Sequence, residues 1–200
     1  MKFNRRILLF SFGMLMFTSL VYEVVWTRQI TLVFGTTVYA LSAVLTSFMA
    51  GLSLGSYICG MEADRRTNLL HVFAKLEIAL GAYGIMSIPL LGLLQYPYLF
   101  LYGIFGSSPL MAISIFVLTF MFLIVPTAII GAAFPIMSKI YTKEINIDIA
   151  DIYSADTAAG GFGALLAGFV FLPYLGLLVT TIMAAIINIS LGYSLHKGVA

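Results

Sequence analysis

The sequence has very few charged residues. Only 9% of its 200 residues are Asp, Glu, Lys or Arg, whereas 62% are hydrophobic and the mean hydropathy is +1.08. Soluble globular domains carry roughly 25% charged residues, so this composition excludes a soluble domain. The net charge is only +2, with no basic patch interleaved with aromatic residues, and we therefore expect no nucleic-acid partner. The composition predicts a polytopic membrane protein in contact with a lipid bilayer.

Cysteine and histidine are also scarce. Cys59 is the only cysteine, which excludes an internal disulfide framework. His71 and His196 are far apart in the sequence and lack the spacing of metal ligands. We therefore expect no metal and no cofactor.

Long apolar runs take up most of the chain. Lys2, Arg5 and Arg6 precede the first run, but no small-residue cleavage site follows it, which favours an uncleaved transmembrane helix over a secretory signal. Since a bilayer crossing needs roughly 20 apolar residues, the runs predict an all-α bundle of about six transmembrane helices in one domain. The predicted helices cover residues 7–26, 38–59, 70–94, 110–133, 157–172 and 177–193. Between the third and fourth, residues 95–109 are uncharged, aromatic and broken by Gly and Pro, which predicts an interfacial outer loop.

The basic residues cluster on one side of this six-helix arrangement. Because cytoplasmic loops carry an excess of Lys and Arg, the distribution predicts an inner-membrane protein with both termini in the cytoplasm. Only Arg28 lies near the opposite side. The residues on the predicted cytoplasmic side are Lys2, Arg5, Arg6, Arg65, Arg66, Lys139, Lys143 and Lys197.

Small residues recur at every fourth position of the second predicted helix. Ala43, Ser47, Gly51 and Gly55 therefore share one helix face. In lipid such a face lets a neighbouring backbone approach closely, so we interpret it as a packing stripe, with a ligand groove as the alternative. The fifth helix has a similar face that includes Gly163 and Ala167.

Polar residues inside apolar helices are candidate functional sites. Glu23 and Arg28 are five residues apart and would point about 140° away from each other on one helix. They flank Tyr22 and Trp26, which we interpret as an aromatic belt at the membrane interface. The alternatives for Glu23 and Arg28 are interfacial anchoring, with the arginine snorkelling, and a functional polar site.

Two further acids are candidates for a polar or substrate-binding role. Glu77 lies deeper in its helix than Lys75, on the opposite face, and needs a partner, water or a proton. Asp156 lies at the predicted start of the fifth helix. There Ser154 or Asp156 would cap the first amides of the helix, and a binding role for Asp156 is the alternative.

Three stretches resemble a known family. They are YEVVWTRQITLVFGTTVYA (residues 22–40) with FMAGLSLGSYICG (48–60), GAAFPIMSK (131–139), and IYSADTAAGGFGALLAGFVFLPYLG (152–176). The chain resembles the membrane domain of spermidine-synthase-like integral membrane proteins, in which a major-facilitator-like region is fused to a polyamine synthase. The resemblance implies a membrane domain that works with a cytoplasmic aminopropyltransferase-like subunit or handles a small cationic metabolite such as a polyamine.

The sequence departs from this family in two respects. Asp156 stands where the family commonly has asparagine, so a hydrogen-bonding role there would become a charged one. Family members usually continue into a Rossmann-like synthase domain, and no glycine-rich loop after a strand is present here. We therefore do not expect aminopropyl transfer by this polypeptide alone. A separate synthase-like subunit would have to supply that activity.

A shorter segment partly resembles major facilitator transporters. Gly60, Asp64 and Arg65 match the start of the loop between the second and third helices of that family, whereas the later part of the motif is absent. Six crossings equal half of such a transporter. The alternative function is therefore a six-helix half-transporter that acts as a homodimer to move a small solute. A purely structural membrane subunit is the third hypothesis.

Overall fold

The computed structural model describes residues 5–63, 68–141 and 149–199, and this part of the chain is helical, without a strand. Long apolar runs that satisfy their own backbone hydrogen bonds favour this outcome. The elements are α1 (Arg5–Phe34), α2 (Val38–Ala63), α3 (Leu69–Phe105), α4 (Pro109–Ile140), α5 (Ile149–Leu166), a π-helix (Ala167–Phe171) and α6 (Leu172–Val199).

Five helical segments of the described chain are long and apolar enough to cross a membrane. This confirms the prediction of an all-α, multi-pass membrane protein. The fifth segment is 46 residues long, about 69 Å at 1.5 Å per residue, and it bends at Gly176, whose φ of 75° and ψ of 175° are not helical. The five segments are Leu9–Phe34, Val38–Ala63, Leu69–Phe105, Pro109–Ile140 and Ile152–Lys197.

The helices pack as pairs around α1, which contacts every other helix. The most extensive contacts join α2 to α4 and α3 to α6, and α5 packs mainly on α1. Helices α3 and α6 are antiparallel, since Gly81 meets Ala185 and Ile189 whereas Gly192 meets Ala74. Helices α1 and α5 run in the same direction. The core therefore lies along α1 and between these pairs.

Small residues bring α2 and α4 together. The predicted stripe of Ala43, Ser47, Gly51 and Gly55 is buried. A Cβ atom on Gly55 would collide with the carbonyl oxygen of Ala128, and one on Gly51 with the Thr127 side chain. The stripe therefore lies at a backbone-to-backbone contact, as expected when dispersion between close backbones holds helices together.

The glycine face of α5 packs on α1 in the same manner. A Cβ atom on Gly163 would collide with the carbonyl oxygen of Phe17, and Ala167 in the π-helix is fully buried. Gly160 lies against the side chain of Leu20. This contact sets the position of α5 relative to the rest of the bundle.

Two predictions about helix ends were wrong. Helix α1 continues to Phe34 instead of ending at 26, so Tyr22 and Trp26 are fully buried inside the bundle and do not form an interfacial belt. Helix α3 continues through Pro89 and Pro97 to Phe105, so residues 95–105 belong to a helix and not to an outer loop. In α3 the residues around both prolines are mostly apolar, and a helix in lipid tolerates proline when neighbouring groups satisfy the freed carbonyls.

The capping prediction for Ser154 and Asp156 was also wrong. Helix α5 begins at Ile149, so both residues lie inside it, and the Ser154 hydroxyl donates to the carbonyl of Ala150 at 2.8 Å. Gly60, expected to end the second helix, lies within α2. The other two residues of that motif, Asp64 and Arg65, lie outside the described residues.

The α2–α4 contact predicts opposite effects for two Gly→Ala substitutions. Gly55→Ala should lower the free energy of unfolding by about 1–3 kcal/mol, because the new methyl group meets backbone atoms that cannot turn aside. Gly92→Ala is the matched control, since a Cβ atom there has nothing within 4 Å and alanine favours a helix by about 1 kcal/mol. Thermal unfolding in detergent measures both. Equal effects would contradict the close contact.

Candidate functional site

A cavity of about 320 Å³ lies between α1, α2, α4 and α5. It forms because α5 packs on α1 while α2 packs on α4, and the two pairs leave a gap between them. Most of its wall is apolar, with Leu20, Phe48, Leu52 and Phe134 among the lining side chains. We call this gap the Asp156 cavity, after the acid at its edge.

Three polar side chains of the Asp156 cavity come from two helices. Ser56 is on α2, and Tyr153 and Asp156 are on successive positions of one face of α5. Asp156 is half-buried, and it forms no hydrogen bond or ion pair within the described part of the chain. The Tyr153 ring meets Phe134 edge to face, with centroids 6.5 Å apart. The cavity thus combines one unpaired carboxylate with aromatic walls.

A second, wider cavity of about 550 Å³ continues along α1. Glu23 and Arg28 both line it, and Leu20 lines both cavities. The 140° separation expected for these residues therefore still allows both to reach the same open space. Glu23 is half-buried and Arg28 is exposed. Both are on α1 and border a groove that α2 and α5 leave open.

Glu77 lies in a different place from the other candidates. It belongs to the contact between α3 and α6, where its Cβ atom lies beside Gly192, and Lys75 points to the exposed side of α3. Its exposed fraction is zero, and neither carboxylate oxygen has a hydrogen-bond partner in the described residues. Of the four acidic and basic candidates, the structure therefore places three along the α1 groove and one, Glu77, on the other side of the bundle.

Several buried polar residues near Glu77 were not predicted. Asn188 on α6 is fully buried, and its Oδ1 accepts a hydrogen bond from the Thr18 hydroxyl at 2.6 Å. The Tyr22 hydroxyl is buried without a hydrogen-bond partner and lies within electrostatic reach of Glu77. An asparagine inside an apolar 28-residue helix was the signal in the sequence that could have indicated this cluster.

Trp26 shows how the same region is held together. Its indole stacks on the Tyr22 ring with centroids 4.9 Å apart, and it meets Tyr83 and Phe122 edge to face. The indole N–H donates to the Ser87 hydroxyl at 3.1 Å. Buried tryptophans usually find such a partner, because an unpaired N–H is costly away from water. The cluster ties α1 to α3 and α4.

The described residues thus contain two kinds of carboxylate environment. Asp156 borders an open, mostly apolar cavity, whereas Glu77 is enclosed between helices. The described part of the chain contains no group of three or more potential metal ligands. Comparison of the chain with protein-family models, with curated protein sequences and with solved structures finds no match.

The Trp26–Ser87 hydrogen bond can be tested with a single substitution. Ser87→Ala should lower the free energy of unfolding by about 1–3 kcal/mol, because it leaves a buried N–H without a partner. Trp26 is the only tryptophan, so the fluorescence emission of the protein should also shift. Ser190→Ala is the control, since Ser190 is exposed and bonds only to a carbonyl of its own helix. The same loss of stability in both variants would contradict the assigned hydrogen bond.

Proposed function

We propose that this protein is a multi-pass membrane protein that binds and handles a small solute carrying a protonated amine, and that the solute occupies the Asp156 cavity. One observation carries the proposal. A half-buried carboxylate without a partner stands at the edge of an apolar cavity inside a membrane-spanning bundle. Ionisable residues at such depth are costly, and by default they indicate a functional site.

The chemistry of the cavity favours an amine with an apolar body. A carboxylate in surroundings of low polarity attracts a cation more strongly than it would in water. The faces of the Tyr153 and Phe134 rings add cation–π attraction for a nearby ammonium group, and the Ser56 hydroxyl offers an acceptor. The volume of about 320 Å³ lies at the lower end of the range for small-molecule sites, which suits a small solute.

The resemblance to spermidine-synthase-like membrane proteins supports the same class of ligand. The family handles cationic polyamines, and the aspartate at position 156 supplies a full negative charge where the family commonly has a neutral amide. Asp156 would pair with an ammonium group, and the apolar wall would contact the methylene chain of a polyamine. A separate cytoplasmic synthase-like subunit would then supply or consume the amine.

The proposed topology has six crossings of the inner membrane, with both termini in the cytoplasm. Its support is the length of the last segment, since 46 residues exceed twice the length needed for one crossing, and the break at Gly176 divides it. Arg5 begins α1, and Lys139 and Lys197 lie near the ends of α4 and α6. These positions would share one side of a six-crossing bundle, which supports the proposed orientation.

The alternative function is a homodimeric half-transporter of the major-facilitator type. The observation that favours it is the exposure of polar residues on the α2 side of the groove. Ser42, Thr46 and Ser53 are exposed within the apolar helix α2, whose Leu41 and Leu45 line the open cavity of Glu23 and Arg28. Polar side chains in a membrane usually face protein or water, so a second copy on this side would cover them.

Neutralising Asp156 should weaken amine binding. With spermidine as the probe and protein purified in detergent, Asp156→Asn should raise the dissociation constant about 10- to 100-fold, because a charge-assisted hydrogen bond is lost. Glu23→Gln is the matched control, since it removes a carboxylate from the neighbouring cavity and should change the affinity much less. Isothermal titration calorimetry measures both constants. Unchanged affinity in Asp156→Asn would contradict the proposal.

Cysteine labelling tests the topology. In a Cys59→Ala background, a cysteine placed at Ser107 should react with an impermeant reagent added outside the cell, and one placed at Asn68 should not. Both positions are exposed at opposite ends of α3, which favours reaction once the reagent has access. The reverse pattern would overturn the orientation.

A further inference from the structure

Glu77 occupies a closed position inside the helix bundle. It lies eight residues into α3, about 12 Å along the helix axis from Leu69. Its side chain is fully buried, and neither carboxylate oxygen has a hydrogen-bond partner in the described chain. Removing an ionised carboxylate from water without pairing it costs several kcal/mol or more. The charge must therefore be neutralised in this packing.

Among the described residues, no basic side chain neutralises this charge. From α1, the Tyr22 hydroxyl lies within electrostatic reach of Glu77. On α6, Asn188, whose Nδ2 has no partner in the described chain, lies one helical turn from Gly192, which contacts Glu77. On α3 itself, Lys75 is exposed on the other face. His71 and His196 contact each other nearer the end of the helix pair, with ring centroids 4.4 Å apart. Among the described residues, no ion pair involves Glu77.

The space around Glu77 also limits what could neutralise it. A Cβ atom on Gly192 would lie 2.9 Å from the Cβ atom of Glu77 and 2.7 Å from the carbonyl oxygen of Ala74. One turn further along α3, a Cβ atom on Gly81 would lie 2.8 Å from the carbonyl oxygen of Ala185. Helices α3 and α6 therefore touch through their backbones on both sides of the acid. An organic amine or a metal ion with five or six oxygen ligands does not fit, whereas a proton needs no room.

We propose that Glu77 is a membrane-embedded proton-binding site. The carboxyl carries a proton while α3 and α6 are closed, and it releases that proton to water only when the two helices separate. The protonated group offers one donor and one acceptor, which match the unpartnered Tyr22 hydroxyl and Asn188 amide of the same buried cluster. This site is separate from the Asp156 cavity, and the inference does not depend on binding of an amine there.

A hydrophobic carbodiimide tests whether the proton is present. N,N′-dicyclohexylcarbodiimide adds to protonated carboxyl groups in apolar surroundings, and mass spectrometry of peptides locates the adduct. In membranes that contain the intact protein, Glu77 should be labelled at neutral pH. Above the pH at which half of the groups are ionised, labelling should fall about tenfold for each further pH unit. Glu77→Gln should lose this adduct, and Glu62 near the end of α2 should remain unlabelled in both proteins.

Stability as a function of pH tests the site independently of reagent access. Glutamine resembles the protonated acid in shape and cannot ionise, so Glu77→Gln should unfold at about the temperature of the native protein at pH 6. As the pH rises, the native protein should lose stability, because ionised Glu77 is tolerated only in the unfolded protein. Glu77→Gln should lose less stability over the same rise in pH. Every other ionisable group is the same in both proteins, so the difference between the two curves isolates Glu77.

Each result decides the proposal. A pH-dependent adduct at Glu77, or a gap between the two stability curves that widens with pH, supports a proton-binding site. Parallel stability curves together with no adduct at Glu77 would overturn it. Failure of spermidine to bind would affect the proposed function of the Asp156 cavity and leave this site unchanged.

Discussion

Close approach of helix backbones is the constraint on which the rest of this bundle depends. In lipid, apolar side chains gain nothing by leaving one hydrocarbon environment for another, so helices associate where their backbones can come near each other. Backbones approach closely in three helix pairs of the described chain. The contacts lie at Gly55 between α2 and α4, at Gly192 between α3 and α6, and at Gly163 between α1 and α5. At each contact an added methyl group would meet a backbone carbonyl oxygen.

The same contacts create the two carboxylate environments. Tight pairing of α2 with α4 and of α5 with α1 leaves an unfilled gap between the pairs, and Asp156 stands at its edge. Tight pairing of α3 with α6 instead leaves no gap, and Glu77 is enclosed there. Two acids on apolar helices thus have opposite access to a solute, although their sequence surroundings are similar. Helix packing decides which of them borders a cavity and which is enclosed.

The buried cluster around Trp26 explains why α1 has a central position. Helix α1 supplies Tyr22 and Trp26 to the contacts with α3 and α4, and Thr18 to the contact with α6. A stacked pair of aromatic rings with two further rings at its edges supplies a large contact area, and the indole N–H adds a directional bond. These contacts join α1 to α3, α4 and α6. The cavities of Asp156 and of Glu23 therefore both lie along α1, where Leu20 lines each of them.

The sequence by itself determined the class of the protein and some of the residues at which its helices touch. Low charge and long apolar runs require helices in lipid. Because Ala43, Ser47, Gly51 and Gly55 recur at every fourth position, they share one helix face whichever helix packs against it. Only the tertiary structure decided which helix meets that face and where each buried polar group finds its partner. Trp26 resembled an interfacial residue because the hydroxyl that pairs with it, on Ser87, is 61 residues away. Helix ends were misjudged for the same reason. Helix α3 continues through Pro97 and α5 begins early, at Ile149, and whether the backbone groups there are satisfied depends on neighbouring helices that a linear pattern does not contain.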